Sequence, residues 1–291
     1  MNRRFKKYKK YLFDESDKEP IESRLFSMQK DSDIYFISSA ESQMDYKDII
    51  PIIIEQVDTK KTSTIIHAGW SLTFNPNESR ELVLQYISEN IKDINVENYI
   101  AEICNKTYTN SKYCIVKNQH KKIIQKICLC QQIQTSKEGD KAKDFVFNLS
   151  KSKSLKIFFD NEYPCILLIC GENNLFNKEN RGRNGIYVKS GSLSDKFLLN
   201  LQNIQEKQWV IFNPSHYPYD KDNMTKNVMK FHRSAIKDER IAGIITGNNF
   251  NIEYNHHQIN RPLKWKSEKP IEMEKILHDD KNCIYISKCQ I

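Results

Sequence analysis

Glycine and proline are scarce in this chain, with eight of each among 291 residues. No stretch is rich in the two, so the sequence offers no flexible linker that would separate two domains. There is also no internal repeat and no low-complexity tract, which excludes a repeat architecture. We therefore predict a single folded domain over residues 31–291, preceded by a polar and basic extension at residues 1–30.

Long apolar runs are absent as well. None approaches the roughly 18 consecutive apolar residues that a membrane-spanning helix needs. The first twelve residues carry six basic side chains that no apolar segment follows, so we expect a solvated tail and no secretory signal, with an anion-binding arm as the alternative. The formal net charge of +8 is only a mild bias. We expect neither a membrane nor a nucleic-acid partner.

Cysteine pairs with zinc-ligand spacing are also missing. The chain has eight cysteines, but no two of them stand in a CxxC arrangement. Several lie inside apolar runs, which is typical of reduced thiols in a cytoplasmic protein. We predict a cytoplasmic location, no metal site and no cofactor.

Short apolar runs alternate with helical patterns along the chain. Helices are predicted at 46–57, from an Asn75 cap to about 92, at 194–201 and at 226–240. Strands are predicted at 33–39, 63–67, 98–104, 112–117, 122–130, 145–149, 155–160, 165–170, 209–212, 241–246 and 283–287. The runs at 112–117 and 122–130 form a hairpin around a four-residue polar link. This order indicates layers of helices and mixed sheets.

The stretch from Tyr163 to Phe176 (YPCILLICGENNLF) has the strongest pattern in the chain. Six apolar residues end at Cys170, as expected of a strand buried on both faces, and Gly171 and Glu172 follow. The carboxyl end of such a strand is a common place for chemistry in α/β proteins. Cys170 is therefore a candidate nucleophile, although a buried cysteine can equally be an inert small hydrophobe.

Three stretches, taken in order, resemble the carbon–nitrogen hydrolase (nitrilase) superfamily. Residues 117–129 (KNQHKKIIQKICL) are similar to the hairpin that carries the family's catalytic lysine, which falls on Lys126. Residues 156–172 (KIFFDNEYPCILLICGE) look like the strands that lead to its nucleophile, which falls on Cys170. Residues 209–214 (WVIFNP) and the helix and strand after them resemble the next part of the family's fold. The resemblance implies a four-layer α-β-β-α sandwich of nitrilase type.

The resemblance also implies a covalent mechanism. The cysteine attacks an amide-type carbon to form a thioester, and the lysine ammonium stabilises the thiolate and the oxyanion. The family's glutamate base would fall on Ala68 or Gly69, where no carboxylate stands. Glu138, Glu172 and His67 are the groups that could replace this base.

Two functions remain open from the sequence. One is an amidase-type cysteine hydrolase that acts on a small amide, with Trp70, Asn173 and His216 beside its substrate. The alternative is a catalytically inactive nitrilase-fold module that serves as a binding, regulatory or interaction domain. The resemblance also implies a homo-oligomer or a protein partner.

Overall fold

The computed structural model describes residues 25–39, 44–106, 111–131, 162–175, 208–216, 229–238, 241–249, 263–279 and 284–291, apart from positions 230, 234 and 268. Two β-sheets and two α-helices make up most of this part. The strands are β1 (Leu25–Gln29), β2 (Asp33–Ser39), β3 (Ser63–His67), β4 (Leu72–Phe74), β5 (Val96–Asn105), β6 (Lys112–Gln119), β7 (Lys122–Leu129), β8 (Glu162–Leu167), β9 (Trp209–Ser215), β10 (Ile241–Asn248), β11 (Leu263–Trp265), β12 (Ile271–Glu272), β13 (Glu274–Asp279) and β14 (Ile284–Gln290). The strand prediction missed β1, β4, β11, β12 and β13, which are short or lie at sheet edges.

The helices are α1 (Tyr46–Gln56) and α2 (Arg80–Ile91), and a short 3-10 helix covers Cys170–Leu175. Helix α2 begins later than predicted because Ser79, not Asn75, is its cap and accepts a hydrogen bond from the Leu82 N–H. The Glu78 carboxylate instead accepts from the Asn75 N–H at 2.9 Å, so Asn75 belongs to the turn before the helix.

The sheets are mixed, and each has parallel strands at its centre. Sheet A has the order β1-β8-β9-β10-β11-β12, with β8, β9 and β10 parallel to one another. Sheet B has the order β13-β14-β2-β3-β5-β6-β7, with β4 also paired to β5 and with β2, β3 and β5 parallel. Parallel strands place their carboxyl ends at one edge of a sheet, which is where such folds bind ligands.

The two sheets pack face to face. One cluster of buried apolar side chains draws on both, with Phe36 and Ile100 from sheet B and Leu167 and Phe212 from sheet A. Side chains alternate across a strand, so the neighbouring residues of sheet B point to its other face. There they form a second cluster with α1 and α2.

A further helical layer covers the outer face of sheet A. Residues 229, 231–233 and 235–236 are helical. Within this layer the His232 ring lies 5.1 Å from that of Trp265, which pairs with Ile244 of β10. The layer order is therefore helix, sheet, sheet, helix, and the predicted α-β-β-α sandwich is confirmed. In the described part of the chain, no helix is both long and apolar enough to cross a membrane.

The amino-terminal boundary differs from the expectation. Residues 25–29, which the sequence assigned to the extension, form β1 and pair antiparallel with β8. Phe26 and Met28 are buried between the sheets, and their alternation with polar residues was too short to stand out as a strand. The elements predicted at 145–149, 155–160 and 194–201 lie outside the described residues.

The β6–β7 hairpin is tighter than predicted. Its turn places His120 and Lys121 at φ values of 51° and 61°. Two successive central residues with positive φ define a type I′ turn, whose twist matches that of the flanking strands. The predicted four-residue link is therefore a two-residue turn.

Candidate active site

The carboxyl ends of strands from both sheets meet at one edge of the sandwich. Gly69, just after β3, donates its N–H to the Ser215 carbonyl of β9 at 3.0 Å. The Asn249 side chain, just after β10, accepts from the Ser39 N–H at 3.1 Å and donates to the Gly69 carbonyl. These bonds tie sheet A to sheet B beside the end of β8.

Cys170 lies where the chain leaves β8 and enters the 3-10 helix. Its φ of 45° is in the left-handed region, which costs a non-glycine residue of order 1–3 kcal/mol; such residues occur in turns and cluster at functional sites. The Glu172 carboxylate stabilises this turn by accepting the Ile169 N–H at 2.8 Å. The turn therefore holds the partly buried thiol at the edge of the sheet.

Two asparagines fix the backbone of the same turn. The Asn213 amide on β9 donates to the Leu168 carbonyl at 2.6 Å and to the Cys170 carbonyl at 3.2 Å. Asn173 in turn donates to the Asn213 side-chain oxygen at 3.1 Å. Because all these groups are buried or partly buried, each bond is worth more than it would be in water.

His216 follows β9 and is buried. Its Nε2 atom lies 2.8 Å from Oε2 of Glu102, and the same side chain lies beside the Cys170 thiol and interacts with it. The Trp70 ring packs on the imidazole with a centroid distance of 4.7 Å. Gly69 makes room for it, since a Cβ at that position would lie 2.4 Å from Cδ2 of His216.

Glu102 projects from the middle of β5 and is only 3% exposed. Its carboxylate accepts the Trp70 N–H at 2.6 Å and the Ser111 hydroxyl, in addition to its contact with His216. Trp70 can point its N–H there because its backbone adopts a φ of 55°. A buried carboxylate held this way is paired and hydrogen-bonded, as burial of a charge requires.

The three side chains of Cys170, His216 and Glu102 are here called the triad, and the pKa values of Cys170 and His216 are shifted within it. Burial alone would lower the pKa of His216, but the Glu102 carboxylate and the bonded Cys170 thiol outweigh it and raise the pKa to about 10. Burial alone would raise the pKa of Cys170, but its hydrogen bond with His216 and the imidazolium charge lower it. The triad therefore favours a thiolate beside an imidazolium.

This arrangement contains the parts that nucleophilic catalysis needs. A thiolate can attack an electrophilic carbon, an imidazolium can donate a proton, and a buried carboxylate can orient and stabilise the imidazolium. Among the residues with a defined position, no group of three histidine, cysteine or acidic side chains is arranged to hold a metal ion.

The structure brings three of the predicted site residues into direct contact: Cys170, His216 and Trp70. Glu172 and Asn173 lie in the Cys170 turn, where their observed bonds go to the Ile169 N–H and to Asn213. These bonds hold the turn, and the catalytic role predicted for Glu172 and the substrate contact predicted for Asn173 stay predictions.

The structure corrects the prediction for Lys126. This residue is exposed on β7, the last strand of sheet B, and its partner on β6 is Val116. Val116 belongs to the cluster beneath α1 and α2, so Lys126 points to the opposite face of sheet B from Cys170. The resemblance correctly placed Lys126 on a strand, but it did not give the pairing register, which decides the face of the sheet to which the side chain points.

Of the other two candidates for the missing base, one lies on the opposite face of sheet B from the triad and the other lies outside the described residues. His67 shares a face with Ile65, beneath the helices, and its Nε2 lies 2.8 Å from the Tyr99 hydroxyl. Burial lowers the pKa of His67 to about 3. Glu138 lies outside the described residues, so its role stays a prediction.

Glu102 is the site residue that sequence reasoning missed. It interrupts the apolar strand VENYIAEICN, in which Ile100 points between the sheets. A carboxylate two residues later points to the same face, and such a residue is seldom buried without a charged partner. The alternation of side chains along β5 is therefore the sequence signal that could have identified Glu102.

No family model matches the sequence, and no curated protein matches it. Solved structures of nitrilase-superfamily proteins match over about nine tenths of the chain at low identity. Saccharomyces cerevisiae Nit3, of branch 10 of the nitrilase superfamily, has 10% identity over 89% of this chain and 90% of its own, with a TM-score of 0.47. A CN-hydrolase superfamily protein from Xanthomonas campestris, with an arsenic adduct in its active site, has 8% identity over 89% and 90%, also at 0.47. An amidase from Nesterenkonia sp. has 8% identity over 90% and 92%, at 0.44.

These proteins belong to the superfamily that the three sequence stretches resemble. At sequence identities of 10% or less, these matches do not show which reaction this chain catalyses. The function is therefore inferred from this chain's own residues.

Proposed function

We propose that this protein is a cysteine hydrolase that cleaves an amide-type carbon–nitrogen bond through a covalent thioester. The observation that supports this is the contact of the Cys170 thiol with His216, which in turn contacts the buried Glu102 carboxylate. His216 takes the place of the lysine that the resemblance implied, and Glu102 supplies the carboxylate missing after β3.

In the first half-reaction, the Cys170 thiolate attacks the carbonyl carbon of the amide. The His216 imidazolium then gives its proton to the departing nitrogen, so an amine or ammonia leaves and the acyl group stays on sulfur. The Glu102 carboxylate stabilises the imidazolium before this transfer and holds the ring in position.

In the second half-reaction, water cleaves the thioester. Acylation removes the thiolate charge that helps to raise the pKa of His216, so that pKa falls and the ring is more readily neutral, the form that can accept a proton, at that stage. The neutral imidazole takes a proton from water, hydroxide adds to the thioester, and the acid leaves as the thiolate and the imidazolium form again. The two protonation states of His216 thus serve the two steps.

The test is a direct search for the thioester. The full chain is incubated with a panel of short aliphatic and aromatic amides, quenched in acid and examined by intact and peptide mass spectrometry, while ammonia release is followed in parallel. We expect at least one amide to give both ammonia and an acyl adduct on the peptide that contains Cys170. Cys170→Ala should remove both signals.

Cys165 is an internal control in the same experiment. It lies on β8, five residues before Cys170, and burial raises the pKa of its thiol well above the usual range. An adduct on Cys165 as often as on Cys170 would contradict a specific nucleophile. Ammonia release that persists in Cys170→Ala would contradict the proposed mechanism.

A second candidate is the inactive nitrilase-fold module. The exposed position of Lys126 favours it, because the ammonium group that the resemblance implied is on the wrong face of sheet B. This function predicts that an amide panel gives no turnover although Cys170 still reacts readily with iodoacetamide. The same experiment therefore distinguishes the two.

A further inference from the structure

Two cysteines face each other across the β6–β7 hairpin. Cys114 and Cys128 are direct partners in the antiparallel register, and their Sγ atoms lie 2.8 Å apart without a disulfide bond. Antiparallel partners have Cα atoms about 4.5–5.5 Å apart. Disulfides span Cα distances of about 4.4–6.8 Å, so the bond can form without movement of either strand.

The pair is asymmetric in its exposure. Cys114 is buried among the apolar residues beneath α1 and α2. Cys128 is only partly buried, because β7 is the last strand of sheet B. A small oxidant from solution therefore reaches Cys128 first, and Cys114 is in place to complete the reaction.

The register around the pair is well fixed. On one side Ile115 pairs with Ile127, and on the other Tyr113 pairs with Leu129, with all four side chains packed toward the space between the sheets. A slip of one residue would turn these apolar side chains to the opposite face. The two sulfur atoms are thus held opposite each other by the whole hairpin.

We propose that Cys114 and Cys128 form a reversible redox site that closes to a cross-strand disulfide when it meets a low-molecular-weight disulfide of the glutathione type. The Cys128 thiolate attacks one sulfur of this oxidant, forming a mixed disulfide and releasing one thiolate. The Cys114 thiolate then attacks the Cys128 sulfur and releases the second small thiol. Two protein thiols are oxidised, one small disulfide is reduced to two thiols, and two protons leave the protein.

The pair faces the helices on the other side of sheet B from the triad, but residues near it in the sequence contact the triad. Tyr113, next to Cys114, places its ring 6.2 Å from the His216 ring, and Ser111 bonds to Glu102. The proposal does not depend on the proposed hydrolysis, because its readout is the oxidation state of two thiols.

The experiment places the full chain in mixtures of reduced and oxidised glutathione, blocks reduced thiols with N-ethylmaleimide and maps the peptides after tryptic digestion. Cleavage at lysines puts Cys114 in residues 113–117 and Cys128, together with Cys130, in residues 127–137. We expect these two peptides to become cross-linked with loss of two hydrogens, and dithiothreitol to release both. Fragmentation between Cys128 and Cys130 identifies the bonded sulfur.

Serine variants test the order of the steps. In Cys114→Ser, glutathione should stay trapped on Cys128; in Cys128→Ser, Cys114 should stay reduced because it is buried. Cys130→Ser is the matched control, and it should form the same cross-link as the unaltered chain. Thiols that stay reduced at every glutathione ratio, or a bond from Cys114 to Cys130, would overturn the proposal.

Discussion

His216 and His67 are both buried at the carboxyl ends of strands, yet their surroundings make His216 positively charged and leave His67 neutral. His216 points between the sheets toward Glu102, and its pKa is raised to about 10 although burial opposes this. His67 points beneath the helices toward the Tyr99 hydroxyl, and burial lowers its pKa to about 3. Burial removes the charge from a histidine unless a carboxylate is buried with it. The edge between the two sheets therefore holds a charged histidine beside a carboxylate, whereas the face of sheet B beneath the helices holds a neutral histidine among apolar side chains.

The largest expected difference between the two histidines is in the reactivity of Cys170 and in turnover. His216→Gln should lower amide hydrolysis by about 10²- to 10⁴-fold, because the acid and base of both steps is removed. His67→Gln should leave the rate within a few fold, since that side chain lies on the other face of sheet B. Steady-state ammonia release measures both. Equal losses of hydrolysis rate in the two variants would mean that the substitutions act by destabilising the fold and not by removing a catalytic group.

Glu102→Gln should turn the surroundings of His216 into those of His67. The amide can still accept the Trp70 N–H and the Ser111 hydroxyl, but it cannot stabilise an imidazolium. We expect the pKa of His216 to fall well below about 10, because burial is then opposed only by the Cys170 thiol. Histidine C–H chemical shifts followed by NMR against pH report this directly.

The same variant should slow the alkylation of Cys170 by iodoacetamide at pH 6 to 7, because the imidazolium that lowers the pKa of its thiol is lost. Cys289 is the reference thiol, since burial raises its pKa to about 12. Unchanged reactivity of Cys170 relative to Cys289 would show that Glu102 does not control the thiol.

Gly69→Ala should disturb the inner edge specifically. Its Cβ would lie 2.4 Å from Cδ2 and 2.8 Å from the Cα of His216, so the ring or its backbone must move. We expect a loss of about 1–3 kcal/mol in the free energy of unfolding, together with loss of the low-pH reactivity of Cys170. Urea unfolding measures the first effect and alkylation the second.

Gly243→Ala is the matched control on sheet A. Its Cβ would meet Cδ1 of Ile291 at 3.1 Å and the Trp265 carbonyl at 3.3 Å, contacts that small adjustments can relieve. It should cost less stability and leave Cys170 reactive. Equal changes in the free energy of unfolding and in Cys170 reactivity for the two variants would show that crowding at His216 is not the cause.

The smallest expected effect is on how stability varies with pH. The pKa of His216 is raised on folding, so its contribution is fully present below about pH 6.5 and is lost as the pH rises through about 10. The pKa of His67 is lowered on folding, so stability is lost as the pH falls from about 6.5 toward 3. Urea unfolding across pH should show a flatter alkaline limb in His216→Gln and a flatter acid limb in His67→Gln. Identical limbs in the two variants would contradict the assigned charges.

Much of the fold was accessible from the sequence because its signals are local. The apolar run before Cys170 and the short strand before His216 mark strand ends without knowledge of the rest of the chain. The alternation of strands and helices indicated layers of helices and mixed sheets, and the resemblance to the nitrilase superfamily implied the order of those layers. Edge strands such as β1 were not predicted, because the alternation of buried and half-buried residues over only five positions is too short a pattern.

The site was only partly accessible because it depends on which face each side chain takes. Lys126 and Glu102 both lie on predicted strands, but pairing register sends Lys126 to the outer face and Glu102 to the inner one. The contact of Glu102 with His216 then requires the two sheets to be packed together. No spacing within the sequence encodes that contact.

The origin of the triad in both sheets also bears on how the protein folds. Glu102 comes from sheet B, whereas Cys170 and His216 come from sheet A and are separated from it by long stretches of chain. We expect contacts between such distant residues to form late, since the chain must close large loops first. Before the sheets dock, Glu102 remains hydrated and His216 keeps an ordinary pKa, so appearance of the reactive thiol would time the final docking step during refolding.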